Sequence, residues 1–344
     1  MPVESRPIAA YRVAMKAAYY DRQGPARDVL MLGELPDPEP GPGEVRVRIH
    51  VSGLNPSDTK TRGAFGGRPM GFARIVPHQD GSGIIDRVGT GVPEARLGER
   101  VWLYEAQFGR AGGTAAHYAV IPASKAVPLP EGVSFETGAC LGVPALTAHR
   151  CLFADGDVRG RRVLVQGGAG AVGTAAILLA KWAGAYVATT VSRPEQEKIA
   201  RQAGADLVIN RQTEDVAARV KQATQGQGVE RIVEVNLKAN FAIDMACLAL
   251  DGTVAAYATE DPAAVIPIPF VPAMLRGYNF RFVLVYTMSE EAHKQAVREV
   301  TACLMAGAYR PAIGLRLPLE RIIEAHEAQD SGQVIGKILL DPGM

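Results

Sequence analysis

The sequence predicts an α/β protein in which a β-rich unit precedes a doubly wound parallel sheet. Residues 15–135 contain short strands separated by Gly and Pro. From Val163 onward, strands alternate with helical stretches, which is typical of a parallel sheet covered by helices on both faces. A glycine-rich turn joins the first of these strands to the first of these helices. The length of 344 residues fits about two domains.

The β-rich unit is predicted to begin near Met15. Residues 44–51, EVRVRIHV, alternate polar and apolar side chains with the period of two that a half-buried strand requires. The prolines between residues 36 and 42 exclude a helix before this strand, because proline lacks an amide hydrogen and fixes φ. Further strands are predicted at residues 83–88, 100–103 and 118–121.

The second half begins with a predicted helical link at residues 139–151. Thr213 and Ser289 each stand where a side-chain oxygen can cap the helix that follows. The helix after Ser289 is predicted to run to about Met305. A helix near 319–329 and a strand at 334–340 are predicted to return to the first unit. The strands of the parallel sheet are predicted at residues 163–165, 186–191, 207–209, 232–235, 253–257 and 280–285, and the helix before the fifth is predicted to end near Gly252.

The turn that follows Val163-Leu164-Val165 carries the strongest functional signal. In its GxGxxG pattern, Gly168 is predicted to make the turn, Gly170 to admit a pyrophosphate close to the backbone, and Gly173 to let the helix lie close to the strand. The N–H groups at the helix start, including those of Ala171 and Val172, would bind the anion. An isolated match to this pattern is often merely structural, but the flanking strand and helix favour a dinucleotide site.

The residues after the second strand favour a phosphorylated coenzyme. An NAD-specific site carries an acidic residue about 20 positions after the turn, whereas this chain has Ser192-Arg193 there. A hydroxyl and a guanidinium suit a 2′-phosphate. Lys198 and Arg211 could add to this positive patch, or they could be ordinary surface cations. The predicted cofactor is therefore NADPH.

Composition excludes several other classes of protein. The net charge of +1 gives no reason to expect a nucleic acid or an acidic membrane as partner. No apolar run reaches the roughly 20 residues that span a bilayer. The four cysteines are scattered, which argues against a disulfide framework or zinc ribbon and fits a cytoplasmic location. Residues 1–14 lack the apolar region of a secretory signal and are expected to form an N-terminal tail.

Several motifs, in the same order along the chain, give a family resemblance. With the glycine turn, they resemble the medium-chain dehydrogenase/reductase superfamily and, within it, the zinc-free, zeta-crystallin-like quinone oxidoreductase branch. The resemblance implies a GroES-like catalytic domain, residues 15–138 and 288–344, and a Rossmann cofactor domain, residues 139–287, with the active site between them. The motifs are GLNPSD at 53–58, HQDGSG at 78–83, LGERV at 97–101, GVPALTA at 142–148 and GKILL at 336–340.

The resemblance also argues against a metal. Zinc-dependent relatives place a cysteine, a histidine and a third ligand at positions that hold Asn55, Gln79 and, nearby, Val143 in this chain. None of these residues is a competent ligand for catalytic zinc. Without a metal to stabilise an alkoxide, the substrate must supply its own electron sink. A quinone or an α,β-unsaturated carbonyl compound does so, since hydride addition gives a delocalised anion.

By resemblance, Asn55 and Thr147 lie beside the nicotinamide, although a turn residue and a helix-interior residue are their structural alternatives. Asp58 is expected to fix its loop rather than to transfer a proton. Lys60 stands where relatives often carry Tyr, and we hypothesise that it hydrogen-bonds the developing oxyanion. An ordinary surface lysine is the alternative.

The last expectations concern the far end of the nucleotide site. Asn236 and Tyr257 follow the fourth and fifth strands, where a dinucleotide crosses the carboxyl ends. Backbone groups of Phe282 and Leu284 resemble the carboxamide-binding strand of the family. Because members of the family typically pair this strand edge to edge, the resemblance implies a homodimer, with a covered internal strand as the alternative. The predicted function is NADPH-dependent reduction of a small quinone or enone. A zinc-type alcohol dehydrogenase and a nucleotide-binding structural protein with little turnover are the alternatives.

Overall fold

The computed structural model describes residues 14–343. The predicted tail at residues 1–13 therefore lies outside the described residues, whereas Ala14 already belongs to the first strand. Within the described chain, no helix combines the length and the apolar character needed to cross a bilayer.

The strands and helices follow the predicted alternation closely. The strands are β1 (Ala14–Tyr19), β2 (Met31–Pro36), β3 (Glu44–Leu54), β4 (Asp80–Val88), β5 (Arg100–Leu103), β6 (Tyr118–Pro122), β7 (Ala126–Pro128), β8 (Arg162–Val165), β9 (Tyr186–Val191), β10 (Leu207–Asn210), β11 (Val229–Glu234), β12 (Leu248–Ala256), β13 (Asn279–Phe282), β14 (Ile313–Pro318) and β15 (Lys337–Asp341). The helices are α1 (Ala26–Val29), α2 (Pro56–Arg62), α3 (Phe135–Gly138), α4 (Gly142–Phe153), α5 (Ala171–Trp182), α6 (Pro194–Gln202), α7 (Val216–Ala223), α8 (Leu237–Cys247), α9 (Phe270–Leu275), α10 (Glu290–Met305) and α11 (Ile322–Ser331).

The central strands form a six-stranded sheet in the order β10-β9-β8-β11-β12-β13, and every neighbouring pair is parallel. If these six strands are numbered along the chain, their order in the sheet is 3-2-1-4-5-6. This is the doubly wound order of dinucleotide-binding sheets. This confirms the predicted Rossmann topology. The strand order reverses beside β8, so a crevice opens at the carboxyl ends of β8 and β11.

The second sheet has seven strands, ordered β14-β15-β3-β4-β5-β7 with β6 also on β3. The C-terminal β15 lies antiparallel to β3, with Leu339 opposite Gly53. The last strand therefore returns to the first unit, as predicted from its position after the helical stretches. This GroES-like unit places the end of β3 and the start of β4 beside Lys337, the first residue of β15.

One of the apolar clusters of the structure runs between the two sheets. It joins Trp102 on β5, Leu146 on α4, Val165 on β8 and Val300 on α10, all of them buried. Helix α4 consequently packs on both sheets. The division into domains at residues 139 and 288 stays a prediction, because this continuous core crosses it.

Two local details differ from the sequence prediction. Asp215, not Thr213, caps α7, since its carboxylate accepts a hydrogen bond from the Ala218 N–H at 3.0 Å. Thr213 instead belongs to the preceding turn, where its N–H donates to the Asn210 carbonyl. The helix before β12 ends at Cys247, because β12 begins immediately after it.

The edge strand β13 is shorter than predicted and is anchored by Asp155. This carboxylate accepts hydrogen bonds from Arg281 on β13 and from Arg231 on β11, at 2.9 and 2.7 Å. The Arg281 and Arg231 guanidinium groups lower the pKa of Asp155 to about 2. After Phe282 the chain leaves the ladder and turns at residues 285–287, which brings Tyr286 toward the β-rich unit.

Candidate active site and nucleotide-binding turn

The glycine turn lies between β8 and α5. Gly167, with φ of 73°, adopts the left-handed conformation that makes the turn. The glycine spacing predicted that role for Gly168, a prediction that the structure corrects. Gly168 is instead needed for close packing, since a Cβ there would lie 2.0 Å from the Thr189 Oγ1. Gly173 is also closely packed, because a Cβ there would lie 2.2 Å from the Gly167 carbonyl oxygen.

The start of α5 has the features of an anion site. Gly170 precedes the helix, and a Cβ there would meet its nearest neighbour only at 3.5 Å, so the space beside it is open. The Thr174 N–H donates to the Gly170 carbonyl at 2.8 Å. The N–H groups of Ala171, Val172 and Gly173 therefore precede the first helical hydrogen bond and point their positive dipole end at this space.

The ends of β9 and β10 bring two of the predicted cationic-patch residues together. The Arg211 Nε donates to the Ser192 Oγ at 2.7 Å. Arg193 directly precedes α6, and its guanidinium donates to the Gln333 carbonyl at 3.5 Å on the surface. Lys198 is exposed on α6 and makes no side-chain hydrogen bond within residues 14–343. Ser192 and Arg211 thus form one donor-rich unit, which Lys198 does not join.

The remaining cofactor candidates lie at the same edge of the parallel sheet. Asn236 directly precedes α8, and Tyr257 directly follows β12, where its N–H donates to the Glu234 carbonyl at 3.0 Å. Phe282 closes β13, and its side chain and that of Leu284 are 72% and 49% exposed. Since the carboxyl ends of parallel strands share one edge, these residues extend the line begun by the glycine turn.

A second cluster surrounds Asp80 in the β-rich unit. The Asp80 Oδ2 accepts hydrogen bonds from the Lys337 Nζ at 2.7 Å and from the Asn55 Nδ2 at 2.8 Å. Its Oδ1 accepts from the Val143 N–H at 2.8 Å, in the first turn of α4. Lys337 also donates to the Asn55 Oδ1. Asn55 is 1% exposed. Its buried amide is oriented by its hydrogen bonds with two charged neighbours, Asp80 and Lys337.

Thr147 lies one helical turn after Val143 on α4. Its side chain is 5% exposed, and its hydroxyl forms no hydrogen bond within the described chain. Asp80 therefore connects Asn55 to the helix that carries Thr147. The structure brings the two predicted nicotinamide-side residues to the same region, with Thr147 contributing a hydroxyl that has no protein partner among residues 14–343.

Asp58 fixes the loop before α2, as the sequence analysis expected. Its Oδ2 accepts a hydrogen bond from the Asn55 N–H at 2.8 Å in a capping box. Burial, followed by the nearby Asp80 carboxylate, raises the pKa of Asp58 to about 8. This buried cluster therefore contains one lysine and two carboxyl groups. Asp80 pairs with Lys337, and Asp58 keeps its proton at neutral pH.

Helix α2 is bridged to the parallel-sheet unit by two contacts. The Lys60 Nζ donates to the Thr259 carbonyl at 2.6 Å, and the Ser57 hydroxyl lies 2.9 Å from the Tyr286 hydroxyl. Phe108 stacks on the Tyr286 ring at 4.8 Å. Lys60 is therefore half-buried, and burial lowers its pKa. These contacts define the cleft between the two units.

The zinc positions were tested by the chemistry of their side chains. The Gln79 Nε2 donates to the Gln107 Oε1 at 3.0 Å, while the Gln107 N–H donates back to the Gln79 Oε1 at 3.2 Å. Asn55 and Val143 are both held by Asp80. Two amides and an aliphatic side chain offer no thiolate, imidazole or carboxylate, so these residues do not fit a catalytic zinc.

Sequence reasoning missed several residues that organise the site. Gly167 directly precedes the GxGxxG pattern and Lys337 lies within GKILL, but neither pattern assigned these roles. The hydrogen bond between Ser57 and Tyr286 joins residues that are 229 positions apart, so no local sequence pattern predicts it.

Comparisons with known proteins agree with this geometry. The alcohol dehydrogenase GroES-like domain family matches residues 41–131, and the zinc-binding dehydrogenase family matches residues 171–302. The rat quinone oxidoreductase is 31% identical over 85% of this chain and 87% of its own length.

Solved structures give the same result. A mycobacterial protein solved in complex with NADPH superimposes with a TM-score of 0.83 at 28% identity, covering 95% of this chain and all of its own. An NAD-dependent alcohol dehydrogenase superimposes with a TM-score of 0.83 at 27% identity, covering 96% of this chain and all of its own. The first of these proteins was solved with NADPH, whereas the second is named as NAD-dependent.

Replacing Asp58 with Asn tests the protonated buried carboxyl. Unfolded Asp58 ionises near pH 3.8, whereas the folded group keeps its proton to about pH 8. Its stabilising contribution is therefore complete below the lower value and is lost as pH rises toward the higher one. We expect the free energy of unfolding in urea to fall less between about pH 5 and pH 8 for Asp58→Asn than for the wild type. At the upper pH, the free energy of unfolding of Asp58→Asn should exceed that of the wild type by about 1–3 kcal/mol.

Asp157→Asn is the matched control for this experiment. Asp157 is an exposed carboxylate that accepts a hydrogen bond from the Arg159 N–H at 3.0 Å and lies 3.7 Å from the Arg159 guanidinium. This variant should retain the wild-type slope of stability against pH. Identical slopes for the wild type and Asp58→Asn would contradict the assignment of a proton to Asp58.

Proposed function

Because the chain belongs to the medium-chain dehydrogenase/reductase superfamily of oxidoreductases, we propose that it is an NADPH-dependent, metal-free reductase of quinones or α,β-unsaturated carbonyl compounds. The observation that carries this proposal is the side-chain set at the zinc positions. Asn55 and Gln79 are amides engaged in hydrogen bonds, and Val143 contributes only its N–H to Asp80.

The missing metal ligands select the class of substrate. A catalytic metal contributes several kcal/mol of charge stabilisation when a simple carbonyl is reduced. In a site without one, the acceptor must delocalise the charge itself, as a quinone or an enone does. The protein then needs to orient coenzyme and acceptor, exclude water and offer a few hydrogen bonds.

The coenzyme, which supplies a hydride when bound, is proposed to lie along the carboxyl edge of the parallel sheet. The N–H groups of Ala171, Val172 and Gly173 would hold the pyrophosphate. Ser192 and Arg211, with Arg193 beside them, would hold the 2′-phosphate through charged hydrogen bonds, and the exposed Lys198 would add longer-range attraction. The backbone from Phe282 to Leu284 would receive the carboxamide, with Asn236 and Tyr257 along the way.

The cleft residues are proposed to complete the site around the acceptor. Thr147 offers a hydroxyl with no hydrogen-bond partner in residues 14–343, and Asn55 is held rigidly by Asp80 and Lys337. The Lys60 ammonium has three donors, of which Thr259 takes one. The remaining donors could stabilise the developing oxyanion without breaking the bridge between the two units.

Acceptor specificity tests the proposed reaction directly. NADPH oxidation should be rapid with benzoquinone, naphthoquinone and an enal but weak with a simple ketone, since only the first three delocalise the added charge. NADH in parallel assays should serve less well. Reduction of the ketone alone, or stoichiometric zinc in the purified protein, would overturn the metal-free mechanism. In the same assays, turnover by Lys60→Met equal to that of the wild type would remove Lys60 from the reaction.

The coenzyme preference has a separate test at Arg211. Arg211→Ala removes the guanidinium that bonds Ser192, so we expect the KM for NADPH to rise roughly tenfold while the KM for NADH changes little. Arg201→Ala is the control, because Arg201 pairs with Glu197 on the exposed side of α6. Equal changes in KM for both coenzymes would disprove a 2′-phosphate role for Arg211.

We also propose a homodimer formed through β13. This strand is an edge of the parallel sheet, so its outer backbone groups can pair with a second copy. Beside it, Phe270, Met274 and Leu275 on α9 are 74%, 57% and 71% exposed. Exposed apolar area of this extent is typical of an interaction surface.

Leu275→Glu tests this arrangement. The substitution places a charge in the apolar surface of α9. In sedimentation velocity, the measured mass should therefore fall from that of two chains to that of one chain. Met305→Glu is the control, because Met305 is 75% exposed at the end of α10, away from β13. A monomeric wild-type protein, or a dimer that both variants leave intact, would contradict the proposal.

A further inference from the structure

A buried chain of hydrogen bonds lies directly beneath the glycine turn. The Gly167 N–H donates to the Thr190 Oγ1 at 3.1 Å, and the Thr190 hydroxyl donates to the Gln166 Oε1 at 2.7 Å. The Gln166 Nε2 then donates to the Asp244 Oδ1 at 2.8 Å. The residue that makes the turn is thereby connected to a carboxyl group on α8.

Asp244 faces a second buried carboxyl group, Glu234, at the end of β11. Both side chains are 0% exposed. The Glu234 Oε1 accepts hydrogen bonds from the Asn236 N–H and from the Asn240 Nδ2, the latter at 2.9 Å. One oxygen remains on each group, the Asp244 Oδ2 and the Glu234 Oε2, and neither has a donor in the described chain.

A single proton shared between these two oxygens satisfies both of them. Two ionised carboxylates in contact and out of water would repel strongly, so one of the pair keeps its proton. Burial and the Glu234 carboxylate raise the pKa of Asp244 well above its ordinary range. The other titratable groups nearby are Cys247 on α8, which is faced by Lys221 and Asp215 of α7, and Tyr257 beyond β12.

We propose that the Asp244–Glu234 pair positions the nucleotide-binding turn. Through Gln166 and Thr190 it orients Gly167, and through Asn236 it orients the start of α8. Both points lie at the edge where the coenzyme is proposed to bind. Asp244 and Glu234 are positioning residues, since neither reaches the open space beside Gly170. The identity of the ligand rests on the proposed function, whereas the hold on the turn does not.

The connection explains why two acidic groups are buried there. Burying a carboxyl group is costly unless its hydrogen bonds are complete. In this network every oxygen is satisfied once the shared proton is placed, and a satisfied polar network confers rigidity. The N–H groups at the start of α5 can bind a phosphate group well only if the turn before them is held in one geometry.

Variants at Asp244 test the proposal with two independent measurements. Asp244→Asn keeps an oxygen for Gln166 and a permanent donor for Glu234, whereas Asp244→Leu keeps neither. For Asp244→Leu we expect the Kd and KM for NADPH to rise roughly tenfold with kcat within about twofold of the wild type. Asp244→Asn should stay close to the wild type. Without nucleotide, amide hydrogen exchange in the peptide covering residues 166–173 should speed up in Asp244→Leu only.

Two further variants separate positioning from general damage. Gln166→Met cuts the chain between Asp244 and the turn, so it should reproduce both effects even if Asp244→Leu does not fold. Cys247→Ala creates a cavity on the same helix without removing a hydrogen bond of the network, and it should lower stability while leaving the Kd and the exchange of residues 166–173 unchanged. Wild-type exchange at the turn in both Asp244→Leu and Gln166→Met, or an equal effect of Cys247→Ala, would overturn the inference.

These readouts also distinguish this inference from the proposed function. If the wild type binds neither NADPH nor NADH, the proposed function fails, but faster exchange at the turn in the network variants still supports the positioning role. If the wild type binds NADPH and the network variants bind it equally well, the proposed function stands and the positioning role fails.

Discussion

The buried ion pair between Asp80 and Lys337 is the interaction on which the arrangement of the two units depends. Asp80 opens β4, Lys337 opens the C-terminal β15, and the same carboxylate accepts hydrogen bonds from Asn55 before α2 and from Val143 at the start of α4. Removing one partner of such a pair would leave an uncompensated buried charge at a cost of about 3–5 kcal/mol. One carboxylate thus joins four elements that are distant in sequence.

This arrangement constrains the residues around it. A Cβ on Gly142 would lie 2.1 Å from the Asp80 Oδ1, so the close approach of α4 to this carboxylate requires glycine. The negative charge of Asp80 is favourable at the first turn of α4 because it faces the positive end of the helix dipole. The helix packs on both sheets and carries Thr147 on its next turn, which links the structural pair to the cleft.

Among residues 14–343, the carboxyl pairs Asp58–Asp80 and Glu234–Asp244 are buried, and each pair balances its charge differently. In the β-rich unit, Lys337 neutralises Asp80, and Asp58 remains protonated nearby. Under the parallel sheet no lysine or arginine forms an ion pair with Glu234 or Asp244 within residues 14–343, so a shared proton replaces the cation. The cluster around Asp80 connects the two units at the cleft. The cluster of Glu234 and Asp244 lies beneath the glycine turn, on the other side of the proposed coenzyme site.

Local sequence determined the elements whose causes are local. Alternation of apolar residues located β3, a serine at residue 289 located the start of α10, and the glycine spacing located the strand, turn and helix of the nucleotide site. Even there, assigning the left-handed conformation to Gly167 rather than Gly168 required the packing of Gly168 against Thr189 on the next strand. Two adjacent glycines look alike until a neighbouring element distinguishes them.

Tertiary structure alone decided which charged groups meet. Lys337 lies 257 residues from Asp80, and Gln166 lies 78 residues from Asp244. Neither pair has a spacing that any periodicity could reveal. Burial then raised the pKa of Asp58 and of Asp244, because desolvation acts on a carboxyl group only once other elements cover it. The sequence by itself determined where the backbone turns, and the assembled core determined which side chains were taken out of water together.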